Sequence, residues 1–318
     1  MIKRGISLAA AVVILATACT SAGASSAPTT APSAAAPTSA ATSGASAAAS
    51  TAASAAPASV APVAGGLLEK VLKAGKLVVA TEKDYAPQSF LSPDGKWTGF
   101  DIDVATEIAK RLGVTPEFHH YDWAVITAGK WSSRFDVSVG SMTITGKRQK
   151  ILDFTSPYYF TPAQMAVTTK SGITSLDGLA GKTVCVGVST TYEDWLKGQF
   201  DSVSLGPVAT PPAGVKVKTE PTDANCAEFI KAGRDVGEGF LTDSTIVASS
   251  IANGTPIAPV GTPVFIEQLA ASTDKSGPPS ADFIAAVSKI IDDMHADGTL
   301  TRLSNQWFKQ DLTTKPAG

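Results

Sequence analysis

Cysteine and histidine are scarce in this chain of 318 residues, and their scarcity excludes most metal proteins. There are three of each, and neither set shows the spacing of metal ligands. The adjacent residues His119 and His120 form a poor chelate because neighbouring side chains of a strand point to opposite faces. We therefore predict neither a metal site nor a cofactor.

An excess of positive charge is also missing. Of the 26 Lys and Arg residues, only Lys3 and Arg4 precede Leu67, so the remaining chain carries 24 basic and 28 acidic residues, a net charge of −4. Proteins that bind nucleic acid carry a basic patch or stripe. We therefore expect no nucleic-acid partner.

No apolar run is long enough for a comfortable transmembrane helix. The run from Ile6 to Ala16 follows two basic residues and leads into small residues before Cys19, which predicts a signal peptide over residues 1–18. The position of Cys19 resembles the processing site of bacterial lipoproteins. We predict that Cys19 carries a lipid anchor of the palmitate type; the alternative is a secreted protein in which Cys19 has no role.

The next stretch, residues 19–66, has a very narrow composition. From Thr20 to Gly66 it contains only Ala, Ser, Thr, Pro, Gly and Val. Such a segment cannot bury enough apolar surface to offset its ordering entropy, so we predict a flexible, disordered tether that is open to O-glycosylation. The remaining chain, about 250 residues, is long enough for two modest cores.

Two β-α-β-α-β patterns follow one another along that remaining chain. In the first, Asp101 has the position of a helix N-cap and Gly113 that of a C-cap. Strands alternating with helices predict two α/β units with largely parallel sheets and a cleft between them. The predicted strands are Leu77–Ala80, Glu117–His120 and Asp136–Val139, and then Thr183–Val188, Val215–Lys218 and Gly239–Asp243.

Small hydroxyl residues and one arginine follow the third strand. Ser141 and Thr143 come directly after it, and Arg148 lies seven residues beyond Ser141. A guanidinium can donate two parallel hydrogen bonds to a carboxylate, and the hydroxyls add neutral donors. The alternative is that Arg148 is a surface helix residue beside Lys147 and Lys150, but the stretch as a whole favours a carboxylate site.

Several residue strings resemble the polar amino-acid branch, family 3, of ABC-transporter solute-binding proteins, which includes lysine/arginine/ornithine-, histidine- and glutamine-binding proteins. In chain order they are Gly99–Ala105, Ser141–Tyr158, Thr190–Thr191, Asp243, Asp297–Thr299 and Trp307–Phe308. The resemblance covers nearly all of Leu67–Asp311. It implies an α/β, two-lobe periplasmic-binding-protein type II fold with the ligand cleft between the lobes.

The resemblance also implies the domain organisation and the function. Lobe 1 is expected at residues 67–165 and 265–318 and lobe 2 at residues 166–264, with hinge crossings near Thr161–Val167 and Thr262–Leu269. The expected protein is an extracytoplasmic, lipid-anchored monomer, in the periplasm or on the outer face of the cytoplasmic membrane. It captures a polar amino acid by hinge closure and delivers it to an ABC permease in the membrane.

Functional roles are carried over by position from the resemblance. Arg148 is expected to bind the ligand α-carboxylate, assisted by Ser141 and Thr143 from lobe 1 and by Thr190 and Thr191 from lobe 2. Asp243 is expected to bind the α-ammonium. The alternatives are a helix-capping role for Thr191 and a surface position for Asp243. The relatives usually have glycine where this chain has Ser189.

Ligand specificity is expected from Glu82, Asp84, Tyr85, Trp123 and Tyr192. Glu82 and Asp84 lie near the position where relatives that bind basic amino acids keep an acid. A cationic side chain could also stack on Tyr85 or Trp123. A basic amino acid is therefore favoured, followed by glutamine or another polar one. The alternative is that both acids are solvated and Trp123 belongs to the core.

Cys185 and Cys226 form an even pair in an oxidising compartment, which predicts a disulfide; the alternative is two buried free thiols. An enzyme is the first rival function, since cyclohexadienyl dehydratases resemble this family. It would need a poised acid such as Glu193 or Glu82, and no second catalytic group is evident. A sensor domain would need a following transmembrane or signalling segment, which the sequence does not contain. We expect a binding protein, not an enzyme.

Overall fold

The computed structural model describes residues 60–316. The predicted signal peptide, Cys19 and the predicted tether up to residue 59 lie outside the described residues. The helices of the described part are α1 Leu67–Ala74, α2 Phe100–Leu112, α3 Trp123–Thr127, α4 Gly146–Gln149, α5 Thr191–Leu196, α6 Asp223–Lys231, α7 Ser244–Ala252, α8 Ala281–Ala296 and α9 Thr299–Phe308. None of them has the length and apolar character that a membrane crossing needs.

The strands form one large sheet and one small one. In chain order they are β1 Lys76–Thr81, β2 Asp84–Tyr85, β3 Ser89–Leu91, β4 Trp97–Thr98, β5 Thr115–His120, β6 Val137–Thr143, β7 Leu152–Thr168, β8 Thr183–Gly187, β9 Lys216–Glu220, β10 Gly239–Asp243, β11 Ile257–Pro259 and β12 Phe265–Asp274. The large sheet has the order β5-β1-β6-β12-β7-β10-β8-β9, with β11 also paired to β7.

The two predicted β-α-β-α-β sets form the two ends of the large sheet. Strands β5, β1 and β6 are parallel to one another, and so are β10, β8 and β9. The prediction of largely parallel sheets missed the middle, where the long strands β7 and β12 pair antiparallel with each other and with their neighbours. These two strands connect both sets, since Phe265 lies opposite Ala163 and Leu269 opposite Tyr159.

Buried apolar side chains fall into two groups on either side of these crossing strands. One group draws its core from residues 67–159 and 269–303, together with an adjoining cluster around Trp131. We call this the terminal region. The other group draws its core from residues 163–265, and Tyr85 packs into it. We call this the middle region. Among the core side chains, Leu269 belongs to the first group and Phe265 to the second.

Helix α2 begins two residues earlier than predicted, since its N-cap is Gly99 rather than Asp101. Gly99 has φ 131°, and a Cβ there would lie 2.2 Å from the carbonyl oxygen of Gln88, so only glycine fits. Asp101 is instead fully buried inside the helix and accepts hydrogen bonds from Ser141 and Tyr158. The N-cap prediction for Asp101 was therefore wrong. The C-cap prediction for Gly113 is confirmed.

The segment before α1 contacts the folded body. Val63 donates its backbone N–H to Asp282 at 2.8 Å, so the last residues of the predicted tether contact helix α8.

Cys185 in β8 and Cys226 in α6 are joined by a disulfide with a Cα–Cα distance of 5.9 Å, as predicted. The bond fixes one strand and one helix of the middle region to each other.

Candidate functional site

A cavity of about 30 Å³ lies where the two regions meet. Nine of the eleven residues predicted from the sequence to bind or select the ligand line it, and Asp84 and Asp243 do not. The lining consists of Glu82, Tyr85, Trp123, Gly140, Ser141, Thr143, Arg148, Thr190, Thr191, Tyr192, Pro221, Thr222 and Asp223. Both regions therefore contribute walls to one polar cavity.

Arg148 is the cationic side chain of the lining. Helix α4 holds it at the end of β6, and only 7% of the residue is exposed. Its guanidinium donates to the carbonyl oxygens of Thr143 at 2.9 Å and Ser189 at 3.0 Å, and lies 5.3 Å from the centre of the Trp123 ring. Burial lowers the pKa of Arg148. No carboxylate within residues 60–316 forms an ion pair with it. Because Arg148 is buried, the alternative of a surface helix residue was wrong.

Ser141 is held in an unusual conformation by buried tyrosines and Asp101. It has φ 56°, in the left-handed region that non-glycine residues rarely adopt. Its hydroxyl donates to Asp101 at 2.8 Å and accepts from Tyr159 at 2.6 Å, while its backbone N–H donates to Tyr158 at 2.8 Å. Burial raises the pKa of Asp101 to about 7. The proton of each Ser141 donor group is thus already engaged.

The opposite wall is the junction between β8 and α5. Thr190 is the N-cap of α5, because its hydroxyl accepts the backbone N–H of Glu193 at 3.2 Å. The capping role therefore belongs to Thr190 and not to Thr191, whose hydroxyl donates to Glu267. Ser189 has φ 61°, which explains why glycine suits this position. Its carbonyl oxygen accepts hydrogen bonds from both Arg148 and Trp123.

Two acids line the cavity from different regions. Glu82 at the end of β1 is 8% exposed and Asp223 at the start of α6 is 2% exposed. Burial raises the pKa of Glu82 to about 8, and the carboxylate of Asp223 contributes to the rise. Burial likewise raises the pKa of Asp223 to about 8, against the hydrogen bonds from Gly187 and Thr242. A cationic group placed between these two acids would favour their ionised forms.

Aromatic residues complete the walls and connect the regions. The Tyr85 hydroxyl donates to Asp243 at 2.9 Å, and the Trp123 indole donates to the Ser189 carbonyl oxygen at 3.3 Å. Both side chains are more than nine-tenths buried. Trp123 belongs both to a core cluster and to the cavity wall. The prediction that it contacts the ligand and the alternative that it is a core residue are therefore compatible.

The acids Asp84, Asp243 and Glu193 lie outside the cavity lining. Asp84 pairs with Lys83, and 56% of its side chain is exposed. Asp243 is the N-cap of α7: it accepts the backbone N–H groups of Thr245 and Ile246, both at 3.0 Å, besides the Tyr85 hydroxyl. Its role toward the ammonium stays a prediction. Glu193, considered as a catalytic acid, accepts the Ser189 N–H at 2.6 Å and pairs with Lys197.

Four lining residues, Gly140, Pro221, Thr222 and Asp223, were not predicted from the sequence, and neither was Glu267 behind the wall. Gly140 lies within β6, next to the predicted Ser141. The other three are grouped together and follow β9, which runs parallel to β8 and ends beside it. Because carboxyl ends of parallel strands meet at one edge, the position after β9 was a usable signal. Glu267 lies inside strand β12, and no motif around this single acidic residue indicated a functional role. Within the described residues, no group of three His, Cys, Asp or Glu could hold a metal.

Comparison with known proteins identifies the family. Residues 77–310 match the model of bacterial extracellular solute-binding proteins, family 3. The chain is 33% identical over 250 residues to the L-cystine-binding protein TcyJ of Escherichia coli (strain K12), covering 78% of this chain and 88% of that protein.

Solved structures agree with this match. An ancestral arginine-binding protein bound to arginine has a TM-score of 0.63 and 30% identity and covers 74% of this chain and 98% of its own. The ancestral amino acid-binding protein AncCDT-1, a precursor of cyclohexadienyl dehydratase, has a TM-score of 0.64 and 29% identity, with coverage of 76% and 99%. The expected periplasmic-binding-protein type II fold is confirmed. The chain belongs to the bacterial extracellular solute-binding proteins, family 3.

Proposed function

We propose that this chain is the substrate-binding lipoprotein of an ABC importer, which captures a polar amino acid between two lobes and delivers it to the membrane permease. Residues 67–165 and 265–318 form lobe 1, and residues 166–264 form lobe 2. Lipid at Cys19 would hold the monomer at the membrane. The observation that carries the proposal is the buried Arg148, which faces a cavity between the lobes without a carboxylate partner among the described residues.

A buried guanidinium needs an opposite charge. Taking an ion out of water costs several kcal/mol, and a hydrogen-bonded counter-ion offsets that cost. Two carbonyl oxygens and the Trp123 ring stabilise Arg148 only in part. A ligand carboxylate in the cavity would supply the missing charge through the guanidinium fork. This favours a carboxylic acid as the ligand, and an amino acid is the carboxylic acid named in its relatives.

Hinge closure follows from the size of the cavity. Its volume of about 30 Å³ is far below the roughly 300–1,000 Å³ of ordinary ligand sites. An amino acid can enter only if the walls separate. Only β7, β12 and their flanking segments connect the two regions along the chain, so a small rotation in both strands would open the cavity. A ligand that binds both walls would shift the population toward the closed form.

The acids favour a ligand with a second cationic group. Glu82 and Asp223 contribute two carboxyl groups to the lining, whereas Arg148 is its single cation. A basic amino acid would place its side-chain cation between them, against Tyr85 or Trp123. Cystine, named in one relative, also carries more than one ammonium group. We therefore favour a basic amino acid, then cystine, and then glutamine.

A thermal-shift screen tests this proposal. The panel contains the twenty amino acids, ornithine, citrulline and cystine. A ligand present at 100 times its Kd should add about 2.7 kcal/mol to the free energy of unfolding. We expect arginine, lysine, ornithine or cystine to raise Tm most, with aspartate as the matched control of opposite charge. A flat response to the whole panel would contradict the amino-acid assignment.

A further inference from the structure

Glu267 occupies a special place on the crossing strand β12. It lies opposite Thr161 of β7 and is 1% exposed. Two residues before it, Phe265 packs in the core of the middle region; two residues after it, Leu269 packs in the core of the terminal region. The carboxyl group is therefore buried where the two regions meet. The ligand contacts proposed above, with Arg148, Glu82 and Asp223, give it no role.

Three hydroxyl groups converge on this carboxyl group from both regions. Its Oε1 accepts the hydroxyl of Thr143 at 2.6 Å and that of Thr191. Its Oε2 accepts the hydroxyl of Tyr192 at 2.6 Å. Thr143 ends β6 in the terminal region, while Thr191 and Tyr192 begin α5 in the middle region. All three donors also line the cavity, so Glu267 sits directly behind its wall.

The proton count of these groups has a consequence for the ligand. An ionised carboxylate only accepts hydrogen bonds, and each hydroxyl has a single proton to donate. When Glu267 is ionised, all three protons are committed to it. The oxygens of Thr143 and Thr191 then present only lone pairs to the cavity. Burial raises the pKa of Glu267, and the hydrogen bonds from Thr143, Thr191 and Tyr192 oppose that rise. The nearby Arg148 guanidinium adds a compensating charge, since Glu267 is the carboxylate that most opposes the lowering of the Arg148 pKa.

We propose that Glu267 is the positioning residue of the site: it turns the Thr143 and Thr191 hydroxyls so that lone pairs face the ligand, and it joins both regions through them. This inference rests on the proposed function. The two hydroxyls then accept from the ligand ammonium, and the ligand carboxylate is left to Arg148. The expectation that these threonines donate to the carboxylate is thereby replaced.

The variant Glu267→Gln tests the role at constant side-chain size, with L-arginine and L-cystine as probes in calorimetry. The Gln amide donates to at least one hydroxyl, whose proton then turns toward the cavity. We expect the Kd of the bound probe to rise about tenfold to a hundredfold. In a Thr143→Val/Thr191→Val background the same change should cost less than about threefold, because the hydroxyls are absent. An equal loss in both backgrounds would overturn the proposal.

A matched control lies on the same strand. Asp274 of β12 is also a buried acid, but it binds Trp131 and Ser276 away from the cavity. Asp274→Asn should leave the Kd of either probe unchanged, even if it lowers Tm. If Asp274→Asn weakened binding as much as Glu267→Gln, loss of any buried charge from β12 would explain both results, and Glu267 would have no special role.

Small-angle X-ray scattering without any ligand provides an independent arm. Because Glu267 joins the two regions, Glu267→Gln should increase the radius of gyration of the unliganded protein, whereas Asp274→Asn should not. Scattering curves that coincide for wild type and Glu267→Gln would overturn the joining role. If wild type binds neither probe, the proposed ligand class fails, while the scattering result still decides on Glu267.

Discussion

Each region places one serine with a positive φ angle at a strand end beside the cavity, and the two serines differ in how they are held. Ser141 of the terminal region, with φ 56°, is tied by its hydroxyl and N–H to Asp101, Tyr158 and Tyr159. Ser189 of the middle region, with φ 61°, is exposed. Its N–H donates to Glu193, and its carbonyl oxygen accepts from Arg148 and Trp123. Ser141 is thus held through its side chain as well as its main chain, and Ser189 through its main chain alone.

The cores of the two regions also differ. The terminal region has an aromatic core in which Phe100 packs against Tyr158, Tyr159 and Phe308, with ring centres 6.0, 5.0 and 4.7 Å apart. The middle region has a smaller core and a disulfide that joins β8 to α6. A small core is often supplemented by a covalent bond. In the proposed mechanism, the terminal region would form a preformed wall that receives the ligand carboxylate. The cross-linked middle region would then move as a unit to close the cavity.

The largest expected effect comes from removing the cation of the terminal wall. Arg148→Ala should weaken binding of the amino acid by about 3–5 kcal/mol, at least a hundredfold in Kd, because a buried carboxylate would be left unpaired. Calorimetry measures the affinity. Folding should persist, since the variant also removes a buried cation. Lys150→Ala, which removes an exposed cation at the C-cap of α4, is the control and should bind as wild type does. Normal affinity in Arg148→Ala would refute the assignment.

A smaller effect is expected from opening the cross-link of the middle region. The double variant Cys185→Ala/Cys226→Ala removes a bond across 41 residues and should lower the free energy of unfolding by about 2–4 kcal/mol. Hydrogen exchange should show faster exchange in β8 and α6 than in wild type, with little change in α2 and α8. Wild type under reducing conditions is the matched comparison. Equal acceleration in both regions would mean that they unfold as one cooperative unit.

The sequence was most informative where local pattern determines structure. The strand Gly239–Asp243 was predicted with its observed limits, because glycines precede a short apolar run that ends in a capping acid. The resemblance placed chain crossings near Thr161–Val167 and Thr262–Leu269, which lie in β7 and around β12. The residue pattern alone did not predict β7 as one strand, because its seventeen residues follow no simple alternation and its pairing with β12 joins positions more than a hundred residues apart. Long-range pairing of this kind depends on the tertiary fold.

The site shows the same limit. Arg148 and Thr143 were found because they lie at or just after a strand end, where ligand sites gather, and Thr191 was carried over from the resemblance. The partners that fix their chemistry come from elsewhere: Glu267 from the crossing strand and Ser189 from the opposite wall. The resemblance assigned the ligand ammonium to Asp243, which stays a prediction; that its carboxylate also caps α7 was not predicted. Which oxygen accepts which proton is set by packing between distant segments, and a linear pattern does not record it.

The smallest effects return to the two serines and should differ in sign. A left-handed conformation costs a non-glycine residue about 1–2 kcal/mol, and glycine loses about 0.5–1 kcal/mol of that gain through backbone entropy. Ser189→Gly should therefore stabilise the protein by up to about 1 kcal/mol. Ser141→Gly relieves the same conformation but removes one of the two hydrogen bonds to the buried Asp101 and the acceptor of the Tyr159 hydroxyl, which costs about 1–3 kcal/mol. Urea denaturation of both variants measures the difference. A shift of the same sign and size would show that side-chain hydrogen bonds do not distinguish the two walls.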